Sequence, residues 1–152
     1  MNRANVPDVG ARVKSGADPG PACYGKSGPL TVTDLNVFLG RVPTDYFPFP
    51  LDLGATKTRL KSIRREVIDQ SASEISDIEL AEGFLQLANA KMAEAIKRVS
   101  IAKGYDLREY ALASFGGAGG QHACAIARSL GMTQVLLSPF AGVLSALGIG
   151  AA

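Results

Sequence analysis

Between Tyr110 and Leu137 the chain changes its hydrophobic period twice, and few folds accommodate that pattern. YALASF, Tyr110–Phe115, is a short apolar run suited to a buried strand. FGGAGG follows as a glycine turn, and QHACAIARSL, Gln121–Leu130, has the period of a helix closed by Gly131. QVLL, Gln134–Leu137, predicts a second buried strand that ends before Pro139. Strand, helix and strand at this spacing match a parallel crossover, because parallel strands cannot be joined by a tight hairpin. The expected fold class is therefore α/β, a sheet flanked by helices.

Upstream, the best-marked element is a helix over Asp77–Lys103. Ser76 and Glu79 form a capping box, and Gly104 supplies the stop. Ala81, Phe84, Leu85, Ala88, Met92, Ala95, Ile96 and Val99 make one apolar stripe along it, which predicts packing along a core. From Thr56 to Gln70, Leu60, Ile63 and Val67 recur at three and four among Lys57, Arg59, Lys61, Arg64 and Arg65, a basic amphipathic helix with a solvated outer face. The first fifty residues are rich in proline and predict ordered loop with short elements. In them Thr33 or Asp34 is placed to N-cap LNVFLG, and Gly40 to close it. Phe47, Pro48, Phe49 and Pro50 predict an extended edge or linker, because every second backbone donor is missing.

With 152 residues the chain suits one domain, which on folding buries roughly 68–70% of its unfolded surface. The expected layout is a single partial domain over 1–152, with a loop-rich segment at 1–50, the basic helix and a linker at 51–75, and the long helix plus the βαβ core at 76–152. Sixteen basic side chains against fourteen acidic ones leave a net charge of +2, with no basic block to track a phosphate backbone, so nucleic acid is not an expected partner. No early apolar segment resembles a signal peptide and no apolar run is long enough to span a bilayer, so a cytoplasmic protein is expected. Cys23 and Cys124 stand far apart without a CxxC, which predicts free thiols and no metal site. The closing AGVLSALGIGAA is apolar and has no polar tail, as expected of a polypeptide that stops inside a larger domain.

Four stretches invite a chemical reading. GPACYGKS, Gly20–Ser27, fits the GxxxxGKS/T pattern of a phosphate-binding loop, with Lys26 as its lysine. That loop functions between a buried strand and a helix N-terminus, and here Arg12, Lys14 and Asp18 interrupt the upstream side while Gly28-Pro29 signals a turn downstream. An ordered Pro/Gly loop is the expected outcome. DLGATKT, Asp52–Thr58, resembles the DxGxT phosphate loop of actin-like sugar kinases but leads into the basic helix, so the likeness is expected to be accidental. His122 and Cys124 lie two apart, where helical side chains diverge, and neither a zinc set nor a nucleophile's base is at hand. Structural roles are expected, with a hydrogen-bonding His122 beside the glycine turn as the functional exception. In FGGAGGQHA, Phe115–Ala123, glycines let the backbone approach a ligand closely beside a helix N-terminus. By chemistry alone such a turn serves either a bound adenine nucleotide or tight strand–helix packing, and it lacks the spacing of a dinucleotide GxGxxG loop.

In order along the chain, SGADPGPACYG, GPLTVTDLNVFLGR, DYFP, NAKMAEAIKRVSIAKGYD, YALASFGGAGGQHACAIARSLGM and SPFAGVLSALG resemble the hydantoinase A and 5-oxoprolinase family. The resemblance implies a C-terminal part of an actin-like (ribonuclease H-like) ATPase domain. Members of that family open 5-oxoproline or hydantoin-type rings with ATP, and relatives serve in acetone and acetophenone carboxylases. It implies that ATP, with Mg²⁺, phosphorylates an amide or enolate oxygen, and that Gly116, Gly117, Ala118, Gly119 and Gly120 lie beside the adenosine. Thr33, Asp34 and Asn36, in the TVTD-N motif, are implied candidates for facing the site, without individual roles, and catalytic residues stay unassigned. The family's DxGGT phosphate loops have no counterpart here, so the Mg²⁺ ligands are largely missing and the isolated chain is expected to be inactive. Implied partners are a subunit carrying the missing ATPase half, a hydantoinase B type subunit, or a second copy. A non-catalytic interaction subunit that docks on such a partner is the alternative expectation.

Overall fold

The computed structural model describes residues 18–151. Two compact units divide the chain, one ending at Gln86 and the other beginning at Leu87.

The first unit is built on α1 (Val32–Phe38), α2 (Leu53–Ser71) and the first part of α3 (Asp77–Ala102). The N-cap of α1 is Thr31, with Asp34 completing a capping box at the third helical position, so the helix starts earlier than a cap at Thr33 or Asp34 would allow. Its end is as expected: Gly40 has φ +68°, its N–H binds Val37 O and that of Arg41 binds Asn36 O, the pairing of a Schellman motif. Asp52 caps α2 by accepting from Ala55 N, which begins that helix at Leu53, three residues before Thr56. Leu60 is fully buried, and with Leu30, Leu35, Leu80, Ala81 and Leu85 it forms the first core, against which Ile63, Val67 and Phe84 pack. Arg64 closes this unit's edge through an ion pair with Asp77 at 2.8 Å. Phe47 and Phe49, on one side of an extended stretch, meet Tyr24 edge-on, so the proline-rich segment is pinned by aromatic contacts and forms no strand.

The second unit takes the rest of α3, β1 (Leu112–Ser114), α4 (Gly120–Leu130), β2 (Val135–Leu137) and α5 (Leu144–Ala151). The strands pair in parallel, Leu112 with Val135 and Ser114 with Leu137, so the crossover predicted from the sequence is present. Ala93, Ile126, Ala127, Leu130 and Met132 form the second core, and Leu112 and Val135 pack on it.

Two expectations need correction. Neither strand is buried: Ala113 is exposed and Leu136 and Leu137 are 60% and 56% exposed. Among the described residues the sheet has two strands, so the faces and edges that α4 does not reach stay open. On α3 the expected stripe also breaks, with Ala95 exposed and Val99 at 59%, while Leu80 and Ala93 are buried instead. Its N-terminal half serves the first core and its C-terminal half the second, so no single straight face is buried throughout.

Candidate functional site

In the first unit the polar centre is Asp34. Its carboxylate is fully buried and accepts from Ala22 N (3.1 Å) and Thr31 N and Oγ1 (2.7 and 2.8 Å) on one oxygen, and from Cys23 N (2.6 Å) and Thr56 Oγ1 (3.2 Å) on the other. A carboxylate can be buried only when its lone pairs are satisfied in this way. The GPACYGKS loop therefore does hold an anion, and that anion belongs to the chain itself. Around Cys23 the loop forms a one-turn 3-10 helix, Ala22–Tyr24, ended by Gly25 at φ +73°, and no helix starts at Lys26-Ser27 as in a phosphate-binding loop, since the next helix, α1, begins at Val32. Lys26 is exposed and lies 3.7 Å from Asp18. Burial, together with the neighbouring Asp34, pushes the Cys23 thiol up to about 12, so it stays protonated and unreactive. DLGATKT is the capped start of α2, with Thr56 turned inward to Asp34. Asn36 is buried on the same helix as Asp34, and Thr33 is partly buried there.

In the second unit the turn from Gly116 to Gly119 links β1 to α4, which begins at Gly120. Gly116 has φ +86°, a conformation costly for residues with a Cβ, and its N–H is held by Ala141 O at 2.7 Å. A Cβ on Gly119 would lie 2.6 Å from Phe115 O and 2.8 Å from Ser114 Oγ, so only glycine lets the turn fold back on the strand. At Gly116 and Gly117 a Cβ would meet nothing within 4 Å, and the backbone there is open. The first turn of α4 is tight, with Gln121 N bound to Ala118 O and His122 N to Gly119 O. Beneath it lies a cavity of about 180 Å³, walled by Met92, Leu112, Phe115 and Ile126, with Ser114 and His122 as polar groups. His122 Nδ1 is 2.8 Å from Asn89 Oδ1 on α3. Cys124 is exposed on the other side of α4, so the His-Cys pair shares no site. Among the described residues no three His, Cys, Asp or Glu side chains stand together as a metal site, and no helix is long and apolar enough to cross a membrane.

The structure thus brings His122 and Gly119 to one cavity, while Thr33, Asp34 and Asn36 belong to the other unit. Sequence reasoning did not find Asn89, Thr31 or Thr56. Thr31 had a signal, because Thr-x-x-Asp is a capping pattern, and Thr56 stood in DLGATKT but was set aside with it; Asn89 is a polar position on an amphipathic helix and had none.

Compared with known proteins, the model of the family described as hydantoinase/oxoprolinase matches residues 3–152. The chain belongs to the hydantoinase/oxoprolinase family. Among its family relatives, 5-oxoprolinase 1 of Arabidopsis thaliana is 47% identical over 151 residues, covering 90% of this chain and 12% of that protein. In structure the chain is similar to the ATP-dependent caprolactamase from Pseudomonas jessenii, with a TM-score of 0.73 and 38% identity over 88% of this chain and 19% of the other. It is also similar to acetone carboxylase in its nucleotide-free structure, with a TM-score of 0.72 and 25% identity over 86% of this chain and 18% of that one. The α/β arrangement is thus that of ATP-dependent members, and this chain spans about an eighth to a fifth of the relatives it matches.

Proposed function

We propose that the chain contributes the adenosine side of the nucleotide site in an ATP-dependent hydrolase that opens cyclic amides of the 5-oxoproline or hydantoin type. Both units are read as pieces of one actin-like ATPase domain. The observation that carries this reading is the Gly116–Gly120 turn, which rises from a parallel strand, is closed on one side by the tight contact at Gly119, and is open at Gly116 and Gly117. A purine nucleoside can lie flat against backbone that carries no side chain, next to the N-terminus of α4. Bound ATP would supply the phosphoryl group that activates the amide oxygen. This chain's residues bind and orient the nucleoside, while Asp34, on the same helix as Thr33 and Asn36, holds the Gly20–Gly28 loop in shape. Mg²⁺ and the phosphate loops are assigned to polypeptide outside this chain, a subunit carrying the missing ATPase half, with a hydantoinase B type subunit as the other candidate partner in the cytoplasm.

Equilibrium binding of a fluorescent ATP analogue to the full chain tests this. Gly117→Leu, at a position where a Cβ meets nothing within 4 Å, is expected to lower affinity at least tenfold, and Lys26→Ala to leave it unchanged. Equal binding by Gly117→Leu overturns the assignment, as does dependence on Lys26. ATP turnover by the isolated chain with 5-oxoproline, at the rate of an intact enzyme, overturns the prediction that it is inactive alone.

A further inference from the structure

The pair His122–Asn89 crosses between α4 and α3 amid apolar neighbours, with Met92 and Ala93 on one helix and Ala123 and Ile126 on the other. Apolar helix contacts tolerate sliding, since neighbouring turns present similar surfaces. A directional hydrogen bond does not, and a polar pair set in an apolar contact is a known means of fixing register. His122 is also bound to the glycine turn through its backbone, because its N–H donates to Gly119 O. Gly119 in turn sits hard against Ser114 and Phe115 at the end of β1. With the amide oxygen of Asn89 accepting, the ring proton sits on Nδ1.

We infer that Asn89 is a positioning residue: by holding the His122 ring it sets the register of α4 on α3 and thereby the shape of the Gly116–Gly120 turn. The value of that shape for nucleotide binding rests on the function proposed above, whereas the latch itself does not. A turn already in its binding shape avoids the ordering cost that a loose glycine loop meets on binding.

Amide hydrogen exchange on the full chain, with ring-nitrogen NMR of the single histidine, reads the latch directly. In Asn89→Leu, exchange at 117–122 is expected to rise about tenfold or more while amides at 126–130 keep their wild-type rates, and the histidine tautomer balance shifts. Asn89→Asp keeps an acceptor opposite Nδ1 and restores the exchange rates at the turn. Wild-type exchange at the turn in Asn89→Leu overturns the inference, and so does faster exchange along all of α4, which would mean general loosening. Affinity for the ATP analogue should fall about tenfold in Asn89→Leu and recover in Asn89→Asp; unchanged affinity with a loosened turn removes the positioning role. If the wild-type chain binds no nucleotide, the proposed function fails, and the exchange rates still decide the latch.

Discussion

The loop Gly20–Gly28 and the turn Gly116–Gly120 are both glycine-rich and both precede a helix. In the first, the amides of Ala22 and Cys23 converge on a buried carboxylate from the same chain, and a Cβ on Gly28 would run into Gly20 O, so the interior is closed. In the second, one glycine is locked against the strand and its neighbours face open space. The difference teaches that a glycine-rich loop ahead of a helix can be closed around a group of its own chain or left open, and the surrounding residues decide which.

The sharpest way to break the contrast is Asp34→Ala. It leaves buried donors at Cys23, Thr31 and Thr56 without their acceptor, while Ala22 N keeps Pro29 O, and each unmet buried donor costs ~1–3 kcal/mol, so a loss of at least about 3 kcal/mol is expected in urea unfolding. A change below about 0.5 kcal/mol would mean that the carboxylate does not organise the loop. Next comes a matched pair in the turn. Gly119→Ala forces the backbone away from Phe115 O and should destabilise by ~1–3 kcal/mol, whereas Gly117→Ala should be within about 0.5 kcal/mol of wild type. Equal melting temperatures for the two variants would erase the distinction between the locked and open glycines.

Thiol labelling sharpens the comparison further. In the native chain one cysteine, Cys124, should react promptly with a disulfide reagent near neutral pH, and Cys23 only after denaturant is added. Because the folded thiol titrates at about 12 and an unfolded one near 9.0, its linkage leaves stability unchanged below that lower value and erodes it as pH rises from there toward 12. Two equally fast thiols would contradict the closed loop. The smallest effect is at the start of α3, where hydrogen bonds from the Ser76 side chain and backbone lower the Glu79 pKa below 4.5. A lowered folded value stabilises above the unfolded value, and that contribution is lost as pH falls through the folded one. Glu79→Gln should therefore flatten the acid limb of the stability curve slightly; an unaltered limb would show that the cap is not coupled to folding.

Legibility from sequence followed how local the cause was. Ser76 and Glu79 are three apart, and Gly104 and Gly131 close their helices at neighbouring carbonyls, so those boundaries could be read directly. The parallel crossover was legible because period and turn chemistry agree from Tyr110 to Leu137. Exposure of Leu136 was not, because burial depends on what lies across the sheet and an apolar run is silent about that. The role of Asp34 was hidden because its partners lie up to twenty-two residues away, and Asn89 is thirty-three residues from the ring it holds. The glycine turn could be named as a candidate from its letters, but which glycine is locked and which is open required coordinates.

The Asp34 cradle has a consequence for how the chain meets its surroundings. An anion tethered by the polypeptide cannot be diluted or dialysed away, and it does not compete with free phosphate. That corner is expected to keep its form through changing phosphate or salt.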